Sequence, residues 1–356
     1  MTTRSNPFFT LCRLAVATAA AALLTSGAGA ADRAASEPMQ KATQGTKEHL
    51  LECKSPAGEF SVYHVGNSLT GDLTSKLPKL LAQYAQEQGQ TYVWGTHFRA
   101  ATSLTFIHDN PNDPKSSSVA GIGETRTSSN KPGVPDKNPF IPWTVALPGR
   151  HWDAVTLQVW QDNDKATLQR DTEAVNDMIK ITRTRPDNAT TRFFIYAPWT
   201  VAKYDVLDSF SKAFLTPTPN TPDQLGVATR DYFRHVTGAV QKTNPGVAMI
   251  PAGEVLLALD DKMRAGKFEG LTSVRQLHRD VIHLNSIGKN IAAWTAYAVI
   301  LKKSPVGLPN NSHPKDSLVP PFENVAEVSP ADLKLIQNTI WDVVTSPELR
   351  PYTKLP

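Results

Sequence analysis

Hydrophobic and polar positions change their period several times along the chain, and each change predicts a structural element. Short runs rich in β-branched and aromatic residues predict strands. Apolar residues that recur every three to four positions predict helices. The predicted elements are strands 60–65, 91–98, 153–159, 192–197 and 247–251, and helices 77–89, 165–184, 225–243, 253–266 and 286–303.

Strand and helix alternate five times, and this alternation is typical of βα units joined into a parallel sheet. The sequence therefore predicts an α/β protein, a three-layer α/β/α sandwich with a mainly five-stranded parallel sheet. Ligands of such folds bind beyond the carboxyl ends of the strands. We expect Ser68, Gln158 and the loop before the last predicted helix to lie at that edge.

Composition divides the chain into four parts. Residues 1–30 read as a signal peptide, 31–55 as a polar leader, 56–305 as the α/β/α domain, and 306–356 as a C-terminal extension with one helix packing on the domain. Within the domain, 106–150 is rich in Pro, Gly, Ser and Asn and has no sustained period. It is predicted as a long loop insertion, and loops of that length often border a functional site.

The N-terminal segment predicts secretion. Arg4 and Arg13 give a positive start, 14–24 is an apolar run, and the small residues 28–30 suit cleavage near Ala30. The run is shorter than the ~20 residues of a bilayer span, and no later run is longer, so no membrane span is expected in the mature chain. The predicted location is secreted or periplasmic in a bacterium, with a Sec-type signal.

Composition excludes several classes of protein. The chain has 356 residues, of which 40% are hydrophobic and 20% charged, so it can bury a large core and is not a disordered protein. The formal net charge is +4, and removal of the first 30 residues leaves 35 basic against 33 acidic residues. Such a balance implies no polyanionic partner, and we expect no nucleic acid to bind.

Two short motifs carry candidate chemistry. Ser68 stands at a strand-to-helix turn, where its hydroxyl lies outside the sheet and backbone N–H groups can receive an oxyanion. An ordinary helix-capping serine is the alternative. Asp280 precedes His283 by three residues, so the carboxylate can accept the Nδ1 proton and leave Nε2 free as a base. A structural Asp and a half-buried His are the alternative there.

The two motifs together resemble the SGNH (GDSL-like) hydrolase superfamily of esterases. Val-Gly-Asn-Ser-Leu-Thr at 65–70 is similar to its first block, and Asp-Val-Ile-His at 280–283 is similar to its last. The resemblance spans roughly 60–303 and implies an SGNH/flavodoxin-like fold. It also implies a catalytic triad of Ser68, His283 and Asp280 that cleaves carboxylic esters through an acyl-enzyme, without a cofactor.

The middle blocks depart from the family pattern, in which a Gly and an Asn complete the oxyanion hole. The N–H of Ser68 is one expected donor. Ala101 can replace the Gly if its backbone conformation permits, with Gly95 as the fallback. The side chain of either Gln158 or Asn163 is expected to take the part of the Asn, and the strand ending at Gln158 favours the former.

Substrate binding is expected to involve Asn67, Trp160 and Trp199. Tryptophans near strand ends can stack on sugar rings, although core packing is the commoner role. With the signal peptide, they suggest O-acetyl esters of carbohydrates as one substrate class. Two alternatives stay open: a non-catalytic carbohydrate-binding relative, and a metal-dependent hydrolase using Asp280, His283 and His278.

Overall fold

The structure is a computed structural model and describes residues 58–130, 142–160, 166–202, 209–311 and 328–356. The predicted signal peptide (1–30) and polar leader (31–55) lie outside these ranges, and so does Asn163.

A seven-stranded sheet forms the centre of the fold. Its strands are β1 Glu59–Gly66, β2 Thr91–Phe98, β3 Ser117–Ile122, β4 Thr125–Asn130, β5 Ala154–Gln158, β6 Arg192–Ala197 and β7 Ala248–Pro251. The spatial order is β4-β3-β2-β1-β5-β6-β7. Strands β2, β1, β5, β6 and β7 are mutually parallel, so the predicted five-stranded parallel sheet is confirmed.

Helices connect the strands and pack on the sheet. They are α1 Ser68–Thr74, α2 Leu77–Glu87, α3 Leu104–Asp109, α4 Trp143–Gly149, α5 Leu168–Thr182, α6 Ser209–Phe214, α7 Arg230–Gln241, α8 Ala252–Arg264, α9 Ser286–Leu301, α10 Pro330–Val344 and α11 Arg350–Thr353, with short 3₁₀ turns at Pro186–Thr190 and Val274–Leu277. The predicted helix boundaries differ from these by a few residues.

Two consecutive residues of β6 demonstrate the three layers. Arg192 donates to the carbonyl of Ile300 in α9 (2.7 Å), whereas the next residue, Phe193, stacks under Arg183 just beyond α5. Since successive side chains of a strand point to opposite faces, α9 and α5 cover opposite faces of the sheet. The predicted α/β/α sandwich is therefore confirmed.

Helix α9 is buried around nearly its whole circumference. It contacts β7 on the sheet as well as α2 and α10, which explains why its sequence is apolar on all sides. Asn285 caps its first turn by accepting the N–H of Gly288 (3.1 Å), and Lys302 ends it in the left-handed conformation. No helix in the described parts of the chain is long and apolar enough to cross a membrane.

The expectation of a long loop at 106–150 is wrong. Its described part contains the end of α3, the hairpin β3–β4 and helix α4. The hairpin adds two antiparallel strands to the edge of β2. Gly121 and Asn130 are of residue types depleted in strands, so pairing with β2 and burial of Val119 and Ala120 decide the structure there.

The described part of the C-terminal extension contains two helices rather than one. Helix α10 packs against α8 and α9, and the single turn α11 packs against β7. The side chain of Gln337 in α10 accepts the N–H of Gly307 (2.9 Å) and donates to the carbonyl of Leu308 (2.7 Å). These contacts tie the extension to the segment that follows α9.

The strand order locates a crevice. From β1 the chain moves to β2 on one side and later returns to β5 on the other. Ligands of open α/β sheets bind at such a switch point, beyond the carboxyl ends of the strands. Strand β1 ends at Gly66, two residues before Ser68, and β5 ends at Gln158.

Candidate active site

Ser68 is the first residue of α1, and Asn67 caps that helix. The Asn67 side chain accepts the N–H of Leu69 (2.9 Å), which is the standard capping role of an Asn at this position. Asn67 is buried, whereas Ser68 is half-exposed. The serine is thus presented at the surface by a turn that is itself inside the protein.

Gln158 holds this turn from the end of β5. Its Oε1 accepts the N–H of Asn67 (3.2 Å), the N–H of Thr70 (2.8 Å) and the hydroxyl of Thr70. Its Nε2 donates to Asn67 Oδ1 (2.6 Å). Gln158 is only 1% exposed, so its side chain supports the turn. These contacts do not favour the expected role of Gln158 as an oxyanion donor.

Gly66 permits this close contact between strand and turn. A Cβ at this position would lie 2.1 Å from Thr70 Oγ1 and 2.6 Å from Gln158 Oε1. Both distances are far shorter than any van der Waals contact. Only glycine therefore fits beside the Gln158 amide.

Ala101 lies in the turn after β2 with a φ of +53°. This left-handed conformation costs an L residue roughly 1–2 kcal/mol and is easily adopted by glycine. Asn67 Nδ2 donates to the carbonyl of Thr102 (2.9 Å) and so ties this turn to the one carrying Ser68. The N–H groups of Ser68 and Ala101 donate to no other described residue.

Gly95, the fallback donor, is placed elsewhere. It lies in the middle of β2, paired with Tyr63 of β1 and Ala120 of β3. Because it sits inside the sheet and away from its carboxyl edge, the fallback is wrong. Ala101 instead lies beyond the end of β2 in a backbone conformation that glycine adopts easily, and its role as a donor stays a prediction.

Asp280 and His283 form a hydrogen-bonded pair within one loop. His283 Nδ1 lies 2.9 Å from Asp280 Oδ2 and 3.1 Å from Oδ1. A carboxylate only accepts, so Nδ1 carries the proton and Nε2 keeps its lone pair. The two side chains are 25% and 23% exposed, so the imidazole is accessible to a substrate.

The surroundings of Asp280 keep it ionised. Partial burial by itself raises the pKa of Asp280, but backbone N–H donors and the His283 ring together lower it below its ordinary value. The donors are the N–H groups of His283 (2.7 Å) and Ile282 (2.9 Å). A charged Asp280 stabilises the imidazolium that forms when His283 accepts a proton.

Neighbouring segments hold this loop through its backbone. Trp199 Nε1 donates to the carbonyl of Ile282 (2.5 Å), and the N–H of Ala202 donates to the carbonyl of Val281 (2.8 Å). The N–H of Arg279 donates to the carbonyl of His283 (2.9 Å). The loop is thereby fixed next to the end of β6.

Asp72 joins the serine helix to the histidine loop. Its Oδ2 accepts the N–H of Leu284 (2.9 Å), the residue after His283. Lys289 in the first turn of α9 lies 3.7 Å from Oδ1. The structure therefore brings Ser68, Asp280 and His283 to one end of the sheet. Among the described residues, neither Ser68 Oγ nor His283 Nε2 makes a hydrogen bond.

The predicted tryptophan contacts divide into two cases. Trp199 is 0% exposed and cannot stack on a sugar, so its expected role in substrate binding is corrected to one of supporting the loop. Trp160, at the end of β5, is half-buried and packs against the core. Trp94, Trp143 and Trp152 are buried.

The alternative metal site is not assembled in the described part of the chain, where no three His, Cys, Asp or Glu side chains group to hold an ion. His278 is fully buried and its Nδ1 donates to the carbonyl of Val274 (2.9 Å). Burial lowers the pKa of His278 to about 4. It lies behind the loop and supports it.

Sequence reasoning did not single out Asp72 or the supporting role of Gln158. Helix α1 was not predicted, because it is only seven residues long and Ser68 was expected to lie in a turn. The available signal was the spacing: Asp72 follows Ser68 by four residues, which is one helical turn.

No family model matches the chain, and no curated protein matches its sequence. Among solved structures, a DUF4886 family protein from Bacteroides uniformis ATCC 8492 superposes with a TM-score of 0.50 at 18% identity, covering 84% of this chain and 100% of that one. The two chains share a fold.

Two further structures superpose more loosely. One is a provisionally assigned SGNH hydrolase from Slackia heliotrinireducens, with a TM-score of 0.36 at 15% identity over 67% of this chain and 97% of that one. The other is a carbohydrate esterase family 2 enzyme with a carbohydrate binding domain from Corynascus thermopiles (Myceliophthora fergusii). Its TM-score is 0.34 at 12% identity, over 70% of this chain and 68% of that one. These overlaps are too loose to bear on function.

Proposed function

We propose that the protein is a serine hydrolase that cleaves carboxylic esters with Ser68, His283 and Asp280. One observation carries the proposal: His283 Nδ1 donates to an ionised Asp280, on a loop hydrogen-bonded to the helix that begins with Ser68. A carboxylate that orients an imidazole is the arrangement expected of a general base, and the half-exposed Ser68 supports its assignment as the nucleophile. The motifs shared with SGNH hydrolases support the same roles.

The first half of the reaction forms an acyl-enzyme. His283 Nε2 removes the proton of Ser68 Oγ, and Oγ attacks the ester carbonyl carbon. The carbonyl oxygen becomes an oxyanion, for which the N–H groups of Ser68 and Ala101 are the proposed donors. The C–O bond to the alcohol then breaks, and the protonated His283 gives its proton to the leaving oxygen.

The second half releases the acid. A water molecule gives a proton to His283 Nε2 and attacks the acyl carbon, forming the same oxyanion. The bond to Ser68 Oγ breaks, and Oγ recovers the proton from His283. A hydrogen bond between Ser68 Oγ and His283 Nε2 is expected to form when substrate is present, because such bonds are often long or poorly aligned in the absence of substrate.

The substrate and location are finer proposals. Esters of small acids, including O-acetyl groups of carbohydrates, suit a site beside the half-buried Trp160. Asn163 stays a predicted third oxyanion donor, and Asn67 a predicted substrate contact in spite of its burial. We also propose that the predicted signal peptide directs export of the protein. We propose in addition that the protein binds no nucleic acid.

The experiment is hydrolysis of p-nitrophenyl acetate by the full chain. We expect Ser68→Ala to lower turnover at least about 10³-fold, because the nucleophile is lost. Ser75→Ala is the matched control, since Ser75 caps the other end of the same helix and should leave turnover unchanged. Turnover that survives Ser68→Ala contradicts the proposal, and loss of turnover on chelation supports the metal-dependent alternative.

A further inference from the structure

We propose that Asp72 is a positioning residue, whose carboxylate fixes His283 at the correct distance from Ser68. The inference rests on the proposed function and adds a fourth residue to the site. It is built on hydrogen bonds and burial that connect three elements of the fold, namely α1, the loop 280–284 and α9.

Asp72 lies on α1, one helical turn after Ser68. Residues four apart on a helix share one face, so Asp72 lies on the face that begins with Ser68. Its carboxylate accepts the N–H of Leu284 (2.9 Å). The face of α1 that carries the nucleophile is therefore the face that contacts the residue next to the base.

Hydrogen bonds to Asp280 and Asp72 hold His283 on both sides along the chain. Asp280 accepts both the His283 backbone N–H and its ring Nδ1–H. It therefore fixes the backbone on the N-terminal side of His283 and the orientation of the imidazole ring. Asp72 fixes the following side through Leu284. Without Asp72, no described side chain holds that N–H, and the loop loses its direct hydrogen bond to α1.

The carboxylate of Asp72 lies in a buried environment beside a lysine. Asp72 is only 4% exposed, and a buried carboxylate is costly unless it is hydrogen-bonded and paired. Lys289 (3.7 Å) supplies the opposite charge from α9. Burial raises the pKa of Asp72, while Lys289, the Leu284 N–H, His283 and Arg279 oppose that rise. The group is thus bonded to the catalytic loop rather than to solvent.

The consequence is a specific kinetic effect. A displacement of about 1 Å in a catalytic group can cost about 10²-fold in rate. Removal of the carboxylate should therefore lower kcat and leave KM nearly unchanged, because Asp72 is buried and touches no substrate.

The test compares three variants of the full chain by kcat and KM for p-nitrophenyl acetate. We expect Asp72→Ala to lower kcat roughly 10- to 100-fold with KM within about twofold. Asp72→Asn keeps an oxygen that accepts the Leu284 N–H, so it should recover most of the lost kcat. Asp332→Ala is the matched control: Asp332 is also buried and accepts the backbone N–H groups of Glu269 (3.0 Å) and Gly270 (3.2 Å), but it lies on α10.

The outcomes separate the two proposals. Absence of turnover in the unaltered chain overturns the proposed function and this inference with it. Turnover in the unaltered chain with an unchanged kcat in Asp72→Ala overturns the inference alone, and so does an equal loss of kcat in Asp332→Ala or no recovery in Asp72→Asn. If Asp72→Ala does not fold, Asp72→Ser replaces it, because the shorter side chain does not reach Leu284.

Discussion

The turn that presents Ser68 and the loop that presents His283 are held in different ways. The turn is fixed by buried side chains, since Gln158 and Asn67 bond to each other and accept the N–H groups of Leu69 and Thr70. The loop is half-exposed and is fixed mainly through its backbone, by Trp199, Ala202 and Asp72. The serine therefore stands on a rigid buried network, while the histidine depends on several separate contacts from neighbouring elements.

This difference suits the two roles. The nucleophile and the nearby N–H groups must be preorganised, because electrostatic stabilisation of an oxyanion depends on donors that do not rearrange. The base must exchange protons with Ser68, the leaving alcohol and water, so an accessible imidazole is required. Damage to the turn should consequently be more severe than damage to any one contact of the loop.

The largest effect is expected from Gln158→Leu. This change removes the acceptor of the Asn67 N–H, the Thr70 N–H and the Thr70 hydroxyl. Each buried group left unsatisfied costs about 1–3 kcal/mol. We expect unfolding at much lower denaturant concentration and a loss of turnover of about 10² or more in any folded fraction. Near-normal stability and turnover would show that the turn does not depend on this network.

A smaller effect is expected from acid, and it acts on both regions. Burial lowers the pKa of His64, in the strand leading to the turn, to about 3, and that of His278, behind the loop, to about 4. A histidine in the unfolded chain binds a proton near pH 6.5. Between pH 6.5 and the lower pKa of the folded protein, the unfolded state therefore holds more protons, and the free energy of unfolding falls as pH falls. Each histidine contributes about 1.4 kcal/mol per pH unit in that window.

Unfolding free energy measured from pH 7 to pH 4 tests this expectation. The variants His64→Gln and His278→Gln should each reduce the slope of unfolding free energy against pH by about 1.4 kcal/mol per pH unit. An unchanged slope in both variants would mean that these imidazoles bind protons in the folded protein at the same pH as in the unfolded chain.

The smallest effect is expected from Trp199→Phe. The ring volume is largely kept, but the bond from Nε1 to the carbonyl of Ile282 is lost. A single hydrogen bond of this kind contributes about 1 kcal/mol, so we expect a modest loss of stability. Turnover should fall less than in Gln158→Leu, because Ala202 and Asp72 still hold the loop. A greater loss of turnover in Trp199→Phe reverses the comparison.

The sequence predicted the parallel sheet because its five strands are short apolar runs separated by clear helical periods. It did not predict β3 and β4, because the segment 106–150 is rich in Pro, Gly, Ser and Asn and has no sustained period. Pairing with β2 forms these two strands. Asp280 and His283 were found because they stand only three positions apart in one loop. Their hydrogen bond is as expected, and their catalytic role stays a proposal.

The supporting roles of Asp72 and Gln158 could not be predicted from the sequence, because their partners are distant along the chain. Asp72 and Leu284 are 212 positions apart, and Gln158 and Asn67 are 91 apart. Such contacts depend on how the sheet and helices pack, which local patterns do not encode. The role of Trp199 was wrongly predicted for the same reason. The local sequence around a tryptophan near a strand end does not show whether its side chain faces solvent or core.

The most direct test of the account is covalent labelling of the nucleophile. The folded full chain is treated with a p-nitrophenyl alkylphosphonate, and the adduct is followed by intact mass and located by peptide mapping. We predict one adduct, on Ser68, that is absent in Ser68→Ala and forms at least about 10³-fold more slowly in His283→Ala. A folded chain that gives no adduct, or an adduct on another residue, would contradict the account.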